Sequence, residues 1–246
     1  MIADCGVCGV NVAIIMPSKG RPSQLRRNAT DLLMQLPPMG VELYLLLAVI
    51  WNDEPTVDAA RDLAATWQDA DVMVGIVYRE PDTTCVQGFN QGYLALKGTA
   101  DWYVLGSDDQ VYKSGWLAEA LAVAADTGAQ VIGLNDGHTN IDDYAPHYMM
   151  SGRFIEEHLG GLMVPPAYRS WWFDREVCEI AKRAGLYAPA WLAHVEHQHP
   201  DWGTAPMDGT YREMWPTHDV DKQLWLDRKR SGYPIDWTVE HASESA

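Results

Sequence analysis

The stretch Asp101–Trp116, DWYVLGSDDQVYKSGW, decides the fold. Trp102–Leu105 is apolar, aromatic and β-branched at its centre, the composition of a buried strand. Gly106 and Ser107 break it, and two adjacent carboxylates follow, Asp108 and Asp109. Open α/β sheets bind their ligands just beyond the C-terminal ends of the strands. Adjacent carboxylates repel unless a divalent cation neutralises them, and a hard cation with few protein ligands completes its shell with water and substrate phosphates. The competing reading is a plain turn ahead of a helix, where Asp is common.

Working outward, the flanking segments alternate. Val10–Met16 reads as a strand ending in the loop Pro17–Pro22, and Ser23–Leu36 as a helix capped by Ser23. Val41–Ile50 is a near-continuous apolar run, as expected of a strand covered on both faces. Thr56–Ala70 carries Val57, Ala60, Leu63, Ala64 and Trp67 on one helical side. Val72–Tyr78 reads as a strand, Thr84–Leu96 and Trp116–Ala125 as helices, and Gln130–Leu134 as a further strand. Strand and helix alternating at this spacing predict right-handed βαβ units and a mostly parallel sheet.

Beyond Asn135 the regularity stops. Asp136–Pro146 reads as a loop, Arg153–His158 as a short helix, and Asp174–Ala184 as a helix stopped by Gly185. Ala193–Val195 reads as a last strand, His197–Trp215 as a long loop, and Asp219–Arg230 as a closing polar helix.

The chain has 246 residues and a hydrophobic content of 47%, enough for one domain with a sizeable core. Its formal net charge of -16 disfavours broad electrostatic binding to nucleic acid. The longest apolar run, Val41–Trp51, is too short to span a bilayer. The N-terminus lacks the pattern of a secretory signal, and Cys5-x-x-Cys8 has no second pair at zinc-finger spacing. Both point to a cytoplasmic protein with reduced thiols.

Polar groups therefore collect at successive strand ends: Pro17, Ser18, Lys19, Gly20 and Arg21 after the first, Asn52 and Asp53 after the second, Arg79 after the third, and Asp108 and Asp109 after the fourth. In this order they resemble the GT-A fold glycosyltransferases, especially the family 2 type. Pro17, Ser18 and Arg21 match a P-S-x-x-R strand end. Asp53 matches an acidic residue after the second strand, Gly88-Phe89-Asn90-Gln91-Gly92 a G-x-N-x-G-like helix start, and Ser107-Asp108-Asp109-Gln110 a metal-binding D-x-D-type turn. The adjacent acids depart from the D-x-D of many relatives, which leaves open which of them meets the metal; Asp109 is chosen here. The resemblance covers roughly residues 10–135, carried by order and spacing rather than by one motif.

The resemblance implies a single GT-A (Rossmann-like) α/β domain over 1–246, with a nucleotide-sugar-binding half (10–135) and an irregular acceptor-side half (136–246). It implies a nucleoside-diphosphate sugar donor, UDP favoured, contacted by Pro17, Ser18, Arg21, Asp53, Arg79, Asn90 and Asp108. Mn2+ or Mg2+ would sit on Asp109, with a late His, His197 or His199, as a further ligand. Imidazole beside carboxylate suits manganese, whereas magnesium prefers oxygen. Asp174 matches the family's base, which an acceptor hydroxyl requires because it does not ionise at neutral pH. The plainer reading of Asp174 is a helix cap, and that of the His cluster a polar loop. Trp171, Trp172 and Tyr168 offer an aromatic wall or core packing.

Three other functions stay open. A sugar nucleotidyltransferase would need a Gly-rich basic loop after the first strand, and Pro17–Arg21 has one Gly. A non-catalytic nucleotide-sugar binding module would bind without turnover. The acceptor is of unknown class; a hydroxylated base in DNA, as for some phage-encoded enzymes, would need the basic patch Lys19, Arg21, Arg26 and Arg27 to offset the overall charge.

Overall fold

The apolar runs of the first half line up side by side. β1 (Val10–Ser18) pairs in parallel with β2 (Val41–Ile50) and with β4 (Trp102–Leu105), and β2 pairs in parallel with β3 (Val72–Arg79). The computed structural model describes residues 9–35, 37–67 and 72–237. Cys5 and Cys8 lie outside these, as do Leu36 and residues 68–70 of the second expected helix.

Eight strands form one sheet in the order β3-β2-β1-β4-β7-β6-β8-β5, in which β5 is Gln110–Tyr112, β6 Val131–Asn135, β7 Tyr148–Ser151 and β8 Tyr187–His197. β7 runs antiparallel between β4 and β6, and β8 lies parallel to β6. The short β5 (Gln110–Tyr112) follows the acid pair and pairs antiparallel with the end of β8. The chain is thus a single α/β domain with a mostly parallel sheet.

Helices cover both faces, as buried parallel strands require. Leu25, Ala29, Leu32 and Leu33 of α1 (Pro22–Leu33) join Ala60 and Leu63 of α2 (Glu54–Thr66) and Leu117 and Leu121 of α4 (Trp116–Thr127) on one side. Phe89 and Tyr93 of α3 (Cys85–Leu96), Phe154 and Ile155 of α5 (Gly152–His158) and Val177 and Ala181 of α6 (Phe173–Arg183) cover the other. Helix α8 (His218–Arg230) docks on α6: the buried Arg228 guanidinium donates to the fully buried Glu176 carboxylate at 2.9 Å. A buried carboxylate stripped of such a partner costs several kcal/mol, on the order of 3–5.

Several boundaries differ from the sequence reading for local reasons. Ser23 does not cap α1; Pro22 occupies its first turn, and Arg21 holds the cap position without a side-chain cap bond. Asp53 caps α2 through Thr56 N–H, and Thr84 and Gln87 form a capping box on α3. The region expected as loop from His197 instead contains the end of β8, a 3-10 turn at Pro200–Trp202 and helix α7 (Gly209–Met214).

The site rests on a close strand approach. Gly106 N–H donates to Ile15 O at 2.9 Å, and a Cβ there would lie 2.7 Å from Ile14 Cγ2 and 2.9 Å from Ile15 O. Only glycine allows the acid turn to leave the sheet this close to β1.

Candidate active site

β1 and β4 are neighbours, with β2 and β3 on one side and the later strands on the other. Strand order reverses between them, and such a switch point opens a crevice at the strand C-termini. A cavity of about 580 Å3 lies there, lined among others by Ser18, Asp108, Asp109, His147, Asp174 and His197.

The acid pair is buried, with Asp108 3% and Asp109 5% exposed, yet it lines this cavity. One Arg21 nitrogen donates to both carboxylates, at 3.1 Å to Asp108 Oδ1 and 3.1 Å to Asp109 Oδ2. The rest of the guanidinium grips Asp208, at 2.7 and 3.2 Å. Ser18 Oγ donates to Asp108 Oδ2 at 2.6 Å, so Asp108 is tied inward. Asp109 accepts from Tyr211 Oη at 2.7 Å and Ser107 Oγ at 2.5 Å, and its Oδ1 faces His197 Nε2 at 3.6 Å.

Burial works against every charge in this group. For Arg21 the carboxylates of Asp108, Asp208 and Asp109 more than offset that penalty and raise its pKa. Burial would lift Asp109, but His197, Arg21 and the Ser107 hydroxyl hold it well below the usual carboxylate range. Asp108, where burial and the neighbouring charge of Asp109 outweigh Arg21 and Ser18, is pushed up. Of the two acids, Asp109 is thus the one whose charged form its surroundings favour more strongly.

A divalent ion fits one corner of this arrangement. Two ligands bound at about 2.1 Å stand between 3 and 4 Å apart at ordinary ligand angles, and the 3.6 Å between Asp109 Oδ1 and His197 Nε2 falls within that range. Among the described residues no group of three or more His, Cys, Asp or Glu side chains is gathered around one point. A cation there would take its remaining ligands from a diphosphate and water. His199 sits in the same corner, its ring 4.9 Å from that of His197, but its Nδ1 accepts from Asp201 N–H at 3.2 Å.

The other residues singled out from the sequence are placed as follows. Pro17 and Ser18 line the cavity. Arg79 lines it too, 3% exposed, with its guanidinium on the carbonyls of Ala48, Thr84 and Ser18, and burial lowers its pKa to about 10. Gly88 leaves room for it; a Cβ there would lie 2.7 Å from the Arg79 guanidinium. Asp53 and Asn90 are not among the lining residues. Asp53 accepts from Gly20 N–H at 2.6 Å and joins the first two strand-end loops. Asn90 pairs through both amide atoms with the backbone of Val164 at 2.9 Å. The basic patch is spoken for: Lys19 pairs with Glu213 at 2.5 Å, Arg26 with Asp62 at 2.6 Å, and Arg27 reaches Gln198 at 3.3 Å.

Asp174 stands in the first turn of α6, whose cap position is held by Trp172. Trp172 has φ 67, a left-handed conformation that costs a bulky residue about 1–2 kcal/mol. Asp221 of α8 holds the preceding turn in place, accepting from the N–H groups of Arg169, Ser170 and Trp171 at 3.2, 2.9 and 2.9 Å. Trp172 packs on Trp225 and His218 at 5.2 and 5.5 Å. Trp171 and Trp172 line the cavity, whereas Tyr168 is buried in the core with its hydroxyl on Glu176 at 2.7 Å. Burial raises the Asp174 pKa to about 6, against the pull of the Arg175 N–H and guanidinium.

Sequence reasoning missed Asp208, Tyr211, Asp221 and His147. Asp208 begins α7 as its cap, accepting from Tyr211 N–H at 2.8 Å, and an Asp-Gly-Thr start is the signal that a short helix was present.

Comparison with protein-family models and with curated proteins gives no match. Solved structures do match. The mannosyltransferase PcManGT from Pyrobaculum calidifontis, solved with GDP-Man and Mn2+, is similar with a TM-score of 0.67 at 15% identity over 88% of this chain. The fold is that of the GT-A-like glycosyltransferases. S. aureus TarS 1-349 is similar at a TM-score of 0.53 and 10% identity over 70% of this chain. The chain spans 64% and 55% of these two, respectively. Among the described residues of this GT-A-like domain, no helix is long and apolar enough to cross a membrane.

Proposed function

We propose that the protein is a metal-dependent glycosyltransferase that moves a sugar from a nucleoside-diphosphate donor to an acceptor hydroxyl. The observation that carries this is the convergence of an Asp109–His197 pair and a half-buried Asp174 in one cavity at the strand-order switch. The GDP-Man and Mn2+ of the mannosyltransferase neighbour and the family 2-like order of motifs support it.

Asp109 and His197 would hold Mn2+ or Mg2+, which when bound supplies positive charge against the departing diphosphate. Arg21 keeps the acid pair ionisable in a buried setting without itself being free for phosphate, because three carboxylates share it. Ser18 and Pro17 shape the diphosphate floor, and Arg79 brings a second buried cation to its edge. Asp174 takes the acceptor proton as the new C–O bond forms at the anomeric carbon and the bond to the diphosphate breaks, which inverts that centre. Trp171 and Trp172 face the acceptor side.

The alternatives find less support. A nucleotidyltransferase needs free cations on the first strand-end loop, where Lys19 and Arg21 are both paired. A DNA acceptor would have to displace the partners of Arg26 and Arg27.

A thermal-shift panel of nucleoside diphosphates tests the reading. Ligand at 100 times its Kd stabilises the fold by about 2.7 kcal/mol, which in a domain of this size raises Tm by roughly 5–10 °C. We expect such a rise with one diphosphate, UDP favoured, in the presence of Mn2+ and not after EDTA. No shift with any of the diphosphates contradicts the donor assignment, and a shift indifferent to EDTA contradicts the metal.

A further inference from the structure

His147 precedes β7 and is 6% exposed, and it lines the cavity. Its tautomer follows from its neighbours. Gln110 donates from Nε2 to Leu105 O at 3.2 Å, and the Tyr112 hydroxyl bonds Gln110 Oε1. A carbonyl can only accept, so the amide nitrogen must face Leu105. The same nitrogen lies 2.5 Å from His147 Nδ1 and directs its second hydrogen there. Nδ1 is therefore the lone-pair nitrogen, and the proton of the neutral ring sits on Nε2.

That Nε2 is buried and has no hydrogen-bond partner among the described residues. Carrying the proton, it has no lone pair for a cation. A ligating His ordinarily donates its other N–H outward, the reverse of what His147 does. What His147 meets instead is the His197 ring, 4.5 Å away and turned by 85°, the arrangement of an edge against a π face. Gln110 is also the direct cross-strand partner of His197 in the β5–β8 ladder. The chain Tyr112, Gln110, His147 thus ends on the His197 imidazole, which faces Asp109.

We propose that Gln110 and His147 are positioning residues for His197: they hold its ring so that Nε2 points at Asp109 Oδ1, and so set the affinity of that pair for a divalent cation. This rests on the metal reading above. Ring orientation is a property that outer contacts control, typically by about 10- to 100-fold in affinity.

The test measures Mn2+ binding itself, by the electron paramagnetic resonance signal of free Mn2+ titrated with the purified full chain. His147→Asn keeps an oxygen for Gln110 and removes the ring and its N–H. We expect its Mn2+ Kd to rise about tenfold or more in a chain that still unfolds cooperatively in EDTA. His147→Gln, which restores an N–H near the lost Nε2, should recover part of that loss. Gln110→Met serves where His147→Asn does not fold, and should weaken Mn2+ in the same direction. Wild-type Mn2+ affinity in a folded His147→Asn or Gln110→Met overturns the proposal while leaving the glycosyltransferase reading intact. A wild-type chain that does not bind Mn2+ overturns the metal reading, and this proposal with it.

Discussion

Asp109→Asn is expected to lower sugar transfer by about 1000-fold or more, while the protein stays folded. Losing one group that stabilises charge in the transition state costs 100- to 1000-fold in well-studied enzymes, and here the same group also anchors the cation. The asparagine keeps the volume, and its single oxygen can still accept from one of the two hydroxyls, Tyr211 or Ser107, which now donate to separate Asp109 oxygens at 2.7 and 2.5 Å. Arg21 keeps Asp108 and Asp208. The fold therefore survives the change better than in Asp109→Ala, which leaves a hole and should abolish transfer outright. The assay is release of nucleoside diphosphate from the sugar donor, read beside Tm. Near-normal turnover in Asp109→Asn removes the metal role from this residue.

Asp174→Asn is expected to lower kcat by about 100- to 10,000-fold, the range for a lost general base, with donor affinity close to wild type. The pH profile gives an independent check. Burial raises the Asp174 carboxyl to about 6, against the Arg175 backbone and guanidinium and the nearby His197. A base acts only when deprotonated, so kcat of the wild type should rise with pH through about 6 and level off above it. A limb at the usual carboxylate range, or the same limb surviving in Asp174→Asn, would assign the proton transfer elsewhere. Unchanged turnover in that variant would leave Asp174 as a residue of the helix start alone.

The parallel half of the fold was legible because its strands advertise burial on both faces. Val41–Ile50 matches β2 at both ends, and Trp102–Leu105 matches β4. In the second half β6, the helices α5, α6 and α8 and the middle of β8 were legible too, but its short elements were not. β7 is four residues after a loop with three Asp, and β5 is three residues directly behind the acids. α7 is six residues in a run broken by Gly and Pro. The site was legible where the chemistry is local, as in Ser18, Asp108 and Asp109 at neighbouring strand ends. What holds the site together is not local. Arg21 meets Asp208 across 187 positions, Tyr211 meets Asp109 across 102, and nothing near Arg21 in the chain marks it as the shared counter-ion. Residue type misled in the opposite sense at Asp53 and Asn90. Both look available for a ligand, yet their side chains are engaged with backbone groups that fix the loops around the cavity. His147 carried no signal at all, since a lone His beside an apolar run gives no hint of the ring it will face.

In the proposed enzyme one cation, shared by Asp109 and His197, would hold the diphosphate at the end of β4. The direct measurement is a crystal grown with Mn2+ and a nucleoside diphosphate, examined for anomalous scattering. A manganese peak is expected beside the Asp109 carboxylate and the His197 imidazole, next to the phosphates of the nucleotide. A nucleotide bound in the cavity with its phosphates on Arg79 and no manganese at Asp109 would contradict it.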